Sequence, residues 1–165
     1  ARKSVREVQV FAIHLKTDEV HLDVLRAIDR TIRHPIAFQL RHGERVRCAM
    51  APKRPSEADV TKWVVGEYFH TEWADWSATA WPNPPTVLDL AALYEALLRA
   101  HLSLPARPGE SLAEQVERLG ELQTKRREAE RLAKKVAQER QFNRKVELNR
   151  ELRAVQASVE RLGSV

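Results

Sequence analysis

With 165 residues, the chain has room for one ordinary globular domain and an appendage. Its net charge of +5 (28 basic against 23 acidic residues) and pI of about 9.7 admit nucleic acid or an acidic surface as a partner without demanding either. A single cysteine, Cys48, excludes an intrachain disulfide and a cysteine-based metal site, and no apolar run approaches membrane-spanning length.

The N-terminus shows no signal-peptide pattern, and the expected compartment is the cytoplasm. All four Trp and both Tyr precede residue 95, whereas charge dominates after residue 110. A packed core is therefore expected in the first two thirds, followed by a solvated helical element.

Residues Glu7–Lys16 read as a strand. Val8, Val10 and Ala12 fall on one face and Phe11, Ile13 and Leu15 on the other, the pattern of a central strand. A helix capped by Thr17 or Asp18 then runs to about Arg33 on the stripe Leu22, Leu25, Ile28 and Ile32, and His34-Pro35 stops it.

Ile36–Arg41 and Glu44–Ala51 flank His42-Gly43, which predicts a tight hairpin with Phe38 and Leu40 alternating like Val46, Cys48 and Met50. Cys48 then reads as a structural strand thiol. Pro52–Pro55 is expected as a loop and Thr61–Phe69 as a further strand, with Gly66 marking a bulge or a close backbone approach.

From His70 to Pro85 an irregular loop is expected, pinned by Trp73, Trp76 and Trp81. A helix over Val87–Leu102 follows, capped by Thr86, with the stripe Leu90, Leu93, Leu97 and Leu98. Residues 103–110, with two prolines and a glycine, read as a linker. The organisation expected is an α+β domain over 1–102 with a small, mostly antiparallel sheet, that linker, and a charged helical coiled-coil segment over 111–165.

In that segment Leu112, Leu119, Leu122, Ala129, Ala133 and Val136 form one apolar run, and Leu148, Leu152, Val155, Val159 and Leu162 a second. Charges are spaced to pair as Glu121→Lys125 and Glu130→Lys134. The phase breaks within Arg140–Lys145, so two antiparallel helices turning near Phe142-Asn143 are expected. One long helix with a defect is the alternative.

The string Gln141–Arg153 (QFNRKVELNRELR), preceded by a charged heptad helix, resembles the C-terminal signature of a bacterial and archaeal domain of unknown function, family 4391 (DUF 4391). EVQVFAIHLK, AIDRTI, HPIAFQLRHGERV and DLAALYEALLR agree with it, so the similarity runs over almost the whole chain. The resemblance implies no established activity. It implies a genetic setting beside helicase and DNA methyltransferase genes, in restriction-like or phage-defence clusters. Family members carry further N-terminal residues, so a chain shortened at its start is expected.

Candidate chemistry is sparse. Ala12–Lys16 has the shape of the acid-x-Lys strand of a metal-dependent nuclease, but His14 stands where the acid is needed and Glu7 falls on the opposite face. The six histidines (14, 21, 34, 42, 70 and 101) lack metal-ligand spacing, and His70-Thr71-Glu72 lacks a third ligand. No phosphate-cradling glycine loop or nucleophile dyad is present. No metal or cofactor is expected, and a catalytic role is not favoured.

Arg126, Arg127, Lys134, Lys135, Arg140, Arg144 and Lys145 form the densest basic stretch, readable as a phosphate-tracking face or as a solvated face with intervening glutamates. The loop from Trp73 to Trp81 covers the core or stacks on a ligand. Gln141, Phe142, Asn143, Glu147 and Asn149 are the candidates for partner binding, against a purely structural use of the amides at a helix turn. The expected function is a non-catalytic accessory subunit that reaches a helicase or methyltransferase through its coiled coil. The rivals are a nucleic-acid-processing enzyme and a simple homodimer.

Overall fold

A computed structural model describes residues 5–56, 58–59, 62–77 and 85–165. The chain divides into two compact units, Ala1–Leu102 and Ser103–Val165. The first holds β1 (Gln9–His14), α1 (Leu22–Thr31), β2 (Ile36–His42), β3 (Arg45–Met50), β4 (Lys53–Pro55), β5 (Trp63–Val65), β6 (Phe69–His70), β7 (Ala74–Asp75) and α2 (Leu90–Arg99). The second holds α3 (Leu112–Gln138) and α4 (Phe142–Gly163). The fold class is α+β, with a small, mostly antiparallel sheet and a C-terminal helical hairpin. No helix among the described residues is long and apolar enough to cross a membrane.

The main sheet has the order β1-β2-β3-β6, with β7 also on β3. Among the described residues only the β1–β2 pair is parallel, and α1 lies between those strands in sequence. The register sets Phe11 beside Phe38 and Ile13 beside Leu40, with the two phenyl rings stacked at a centroid distance of 6.2 Å. Ile36, Phe38, Leu40, Ala49, Ala51, Tyr68 and Leu25 of α1 form the core. Val46 and Met50, on the other side of β3, are buried as well.

The β2–β3 hairpin forms where the sequence places it, and Gly43 takes φ +57°, the left-handed conformation that a side chain disfavours. β1 departs from expectation. Among the described residues it has one neighbour, and Val10 is 70% exposed, so it is an edge strand. Apolar residues on both faces did not mark a central position; only the Phe11 and Ile13 side packs on the core.

Lys53–Pro55, expected as loop, pairs with β5 in a separate two-stranded ribbon. Prolines are compatible with this because a two-stranded ribbon consists of edges. The strand expected over 61–69 splits into β5 and β6, which lie in different sheets. Between them, Gly66 N–H donates to Pro52 O at 2.8 Å, and a Cβ at Gly66 would meet Pro52 Cδ at 3.3 Å. The close approach read from this glycine is present.

Both helices of this unit begin later than their sequence caps suggest. α1 starts after His21 without a side-chain cap, and Val20 ahead of it packs against the core. Leu22 is left 41% exposed. α2 is capped by Asp89 rather than Thr86: its carboxylate accepts from Ala92 N–H at 2.7 Å. Tyr94 and Leu98 are its buried residues, and Leu90 is exposed.

In the second unit, Ser111 and Glu114 close a capping box at the start of α3. Gln115, Leu119, Leu122 and Leu132 of α3 and Leu148 of α4 are buried along the contact between the helices, flanked by half-buried Leu152, Val155, Val159 and Leu162. Leu132 takes the inner place expected of Ala133, which is exposed. The turn is Glu139-Arg140-Gln141, so the hairpin forms and the single long helix does not.

The proline-rich stretch ahead of α3 is built into this unit. Leu104 is buried, its carbonyl accepts from Gln115 Nε2 at 2.7 Å, and the Pro105 carbonyl accepts from Arg118 Nη2 at 2.7 Å.

Candidate interaction surface on the helical hairpin

At the hairpin tip, the partner-binding candidates lie on or next to the first two turns of α4. Gln141 is the N-cap residue and its side chain makes no capping bond. Its backbone N–H donates to Glu139 Oε1 at 2.8 Å. Asn143 sits in the first turn, and no non-glycine residue among those described takes a positive φ, so it neither ends a helix in the left-handed region nor caps one. Asn149 Nδ2 donates to the Lys145 carbonyl one turn back at 3.0 Å. Glu147 accepts from Arg144 Nη1 at 2.8 Å, an exposed pair one turn long.

Phe142 is 77% exposed and Val146 52% exposed. Four residues apart on one helix, they share a face and lie outside the stripe that packs on α3. Gln141, Phe142, Asn143 and Glu147 are all exposed and Asn149 is half-buried; they follow one another along the chain but do not share one face, since Glu147 and Asn149, two residues apart, fall on opposite sides of α4.

The seven basic candidates are all exposed, but they do not share one face. Arg127 and Lys134, a heptad apart, lie on the same side of α3. Arg126 and Lys135, nine residues apart, point to opposite flanks. Arg140 is in the turn, and Arg144 and Lys145 are on α4. The pairs expected as Glu121–Lys125 and Glu130–Lys134 do not form; Lys125 meets Glu128 at 2.8 Å instead. An exposed pair contributes about 0.3–0.5 kcal/mol, too little to fix one geometry over another.

The base of the hairpin is held by charge that sequence reasoning missed. Arg118 Nε meets Glu110 Oε1 at 2.6 Å and Nη2 meets Oε2 at 2.7 Å, while Nη1 donates to the Leu162 carbonyl at 2.8 Å. The Arg118 bonds, with help from the Arg107 backbone N–H, pull the Glu110 carboxyl down to about 2. Arg107 also donates from its guanidinium to the carbonyls of Arg161 and Ser164, at the end of α4. Ser111 holds the Glu114 carboxyl below its usual range in the same turn.

In the first unit the buried charges are structural. Lys53 Nζ meets Asp29 Oδ1 at 3.0 Å and the carbonyls of Asp29, Ile32 and His34, thereby closing the C-terminal end of α1. Tyr68 donates to Asp29 Oδ2 at 2.6 Å, and its phenol is raised by burial and then by that carboxylate. The Tyr94 hydroxyl donates to the Ala51 carbonyl at 2.7 Å, and burial raises it too. One signal for Asp29 was available: it falls beside Ile28 on the inner stripe of α1.

The nuclease-like string does not assemble. His14 ends β1 exposed, Lys16 lies beyond the strand, and Glu7 accepts from Gln9 Nε2 at 2.6 Å and faces His34 at 3.8 Å. Among the described residues no three His, Cys, Asp or Glu side chains are grouped to hold a metal. His70 meets Arg47, and His101 Nδ1 meets the Leu97 carbonyl at 2.7 Å.

Trp73 packs against the core with Arg45 and Arg47 over its ring, and Trp76 lies under Arg41 at 3.9 Å. Trp81, Pro82 and Pro84 lie outside the described residues. Cys48 is half-buried in β3, and burial raises its thiol.

The family model described as Domain of unknown function (DUF4391) matches residues 1–159, which takes in most of both units. The chain belongs to this family. No curated protein and no solved structure matches it. The DUF4391 match covers the hairpin tip as well as the sheet, so the surface around Phe142 lies within the family domain.

Proposed function

We propose that this DUF4391 protein is a non-catalytic accessory subunit that binds a larger protein through the tip of its helical hairpin. The setting we assign is a bacterial DNA-directed system of the restriction or phage-defence kind, with a helicase or methyltransferase as the partner. That setting rests on the family resemblance.

The observation that carries the docking role is the exposed pair Phe142 and Val146 on consecutive turns of α4. Burying an aromatic and a β-branched side chain contributes about 1.5–3 kcal/mol each, enough to anchor an interface of ordinary size. Arg140 in the turn and Lys145, three residues on from Phe142, are exposed near the pair and favour an acidic rim on the partner. A coiled-coil pairing of α3 with α4 gives the tip a stiff support.

The test is capture from the native host with the full-length protein and with its Phe142→Ser/Val146→Ser variant, after nuclease treatment. Recovery of a helicase or methyltransferase by the first and not by the second supports the reading. Self-association that is lost in the variant would assign the tip to a second copy instead.

A further inference from the structure

Of the +5 net charge, the helical unit carries +4, from fourteen basic and ten acidic residues between Ser103 and Val165. Its distribution follows the helix geometry. From Leu122 onward the inner side of α3 runs through Leu122, Ala129, Leu132 and Val136. The outer side runs through Thr124, Arg127, Arg131, Lys134 and Gln138, spaced 3, 4, 3 and 4 residues apart, and all five are exposed; Arg131 stands at its edge, on the rim of the space between α3 and α4 that Glu128 and Glu151 also line. This outer stripe contains no acid. Among the described residues, no carboxylate pairs with Arg127, Arg131 or Lys134; Arg127 Nε only grazes the Gln123 carbonyl at 3.4 Å.

We infer that the outer stripe of α3 binds the phosphate backbone of a nucleic-acid duplex. Arg127 and Lys134 lie about 10 Å apart along the helix axis. That span, with Arg131 between the two, lets the row reach neighbouring phosphates of one strand, which advance about 3.4 Å per step along the duplex axis while turning around it. Three unpaired cations in line with a glutamine amide form a backbone-positioning set: they hold register on phosphate oxygens and read no base. Arg131 is the member that counting basic residues along the chain overlooks, because its i+4 and i+3 relation to Arg127 and Lys134 shows only on the folded helix. The stripe does not involve Phe142 or Val146, so it goes beyond the docking role proposed above.

The test is fluorescence anisotropy with the full chain and labelled 20-base-pair DNA and RNA duplexes, from 50 to 250 mM KCl. The variant is the triple Arg127→Gln/Arg131→Gln/Lys134→Gln. Its control is Arg150→Gln/Arg153→Gln/Arg161→Gln on α4, with circular dichroism to verify that both stay helical. The wild type should bind one or both duplexes, the tighter identifying the source of the phosphates. The α3 variant should lose at least tenfold in affinity at 100 mM salt, and its log–log salt dependence should be shallower by about 3. The control should stay within threefold of wild type, and so should Phe142→Ser.

Three results would overturn the inference. One is absence of binding by the wild type at 50 mM salt. Another is equal loss in both triple variants, which would mean diffuse attraction. The third is competition by polyglutamate as effective as by unlabelled duplex of equal charge, which would assign the stripe to an acidic protein.

Discussion

Lys53 Nζ lies 3.0 Å from Asp29 Oδ1, and the two side chains are only 1% and 2% exposed. The ammonium is surrounded by a carboxylate and three carbonyls from the end of α1, while Tyr68 satisfies the other carboxylate oxygen. One lysine thereby joins the ribbon of β4 and β5 to the helix that covers the main sheet.

Removing one member of this network leaves the other charged and buried. Lys53→Met is expected to destabilise the α+β unit by about 3–5 kcal/mol. Tyr68→Phe, which orphans one carboxylate oxygen, is expected to cost about 1–3 kcal/mol. Both are read by urea unfolding followed through tryptophan fluorescence, since every Trp lies in this unit and none in the helical one. A Lys53→Met protein as stable as wild type would show that the pair is dispensable.

The base of the hairpin should be acid-labile. The Glu110 carboxyl is lower in the folded chain, at about 2, than its ordinary 4.5. A depressed folded value means that its contribution is fully present above about 4.5 and is lost as pH falls from there toward 2. Thermal melts of the helical unit by circular dichroism should therefore lose more stability between pH 5 and pH 2.5 in the wild type than in Glu110→Gln. Parallel pH profiles for the two proteins would contradict this.

The hairpin seam depends on Leu122, which is 1% exposed, far more than on Ala133, which is exposed. Leu122→Ala is expected to cost about 2–5 kcal/mol in the helical unit. Ala133→Ser should lie within about 0.5 kcal/mol of wild type. Chemical denaturation followed at 222 nm separates them.

Gly43 at φ +57° and Gly66 against Pro52 are constrained for different reasons. Gly43→Ala meets empty space but a disfavoured backbone, and should cost about 1–2 kcal/mol. Gly66→Ala keeps an ordinary backbone and presses on a proline ring and carbonyl, and overpacking of this kind should cost about 1–3 kcal/mol. The same fluorescence-detected unfolding reads both, and a neutral Gly66→Ala would show that Pro52 yields.

The sequence was most legible where local chemistry and packing agree. The His42-Gly43 hairpin and the inner stripe of α4 follow directly from alternation and periodicity. It was least legible where one residue serves a distant element. Lys53 between two prolines looked like loop chemistry, yet its partners lie 19 to 24 residues away in the chain. Glu110 ahead of a capping serine looked like the end of a linker, yet it anchors Arg118. At the tip, the QFN string drew attention to Phe142, but only the fold shows Phe142 and Val146 exposed together. The basic run 126–145 is dense along the chain yet falls on several faces, because each residue turns about 100° from its neighbour on a helix.

The docking role proposed for the hairpin tip is tested by capture of partners from the native host with wild type and with Phe142→Ser/Val146→Ser. One protein partner, a helicase or methyltransferase, is expected to survive nuclease treatment and to be lost in the variant while the melting curve is unchanged. Equal recovery of that partner by both proteins would contradict it.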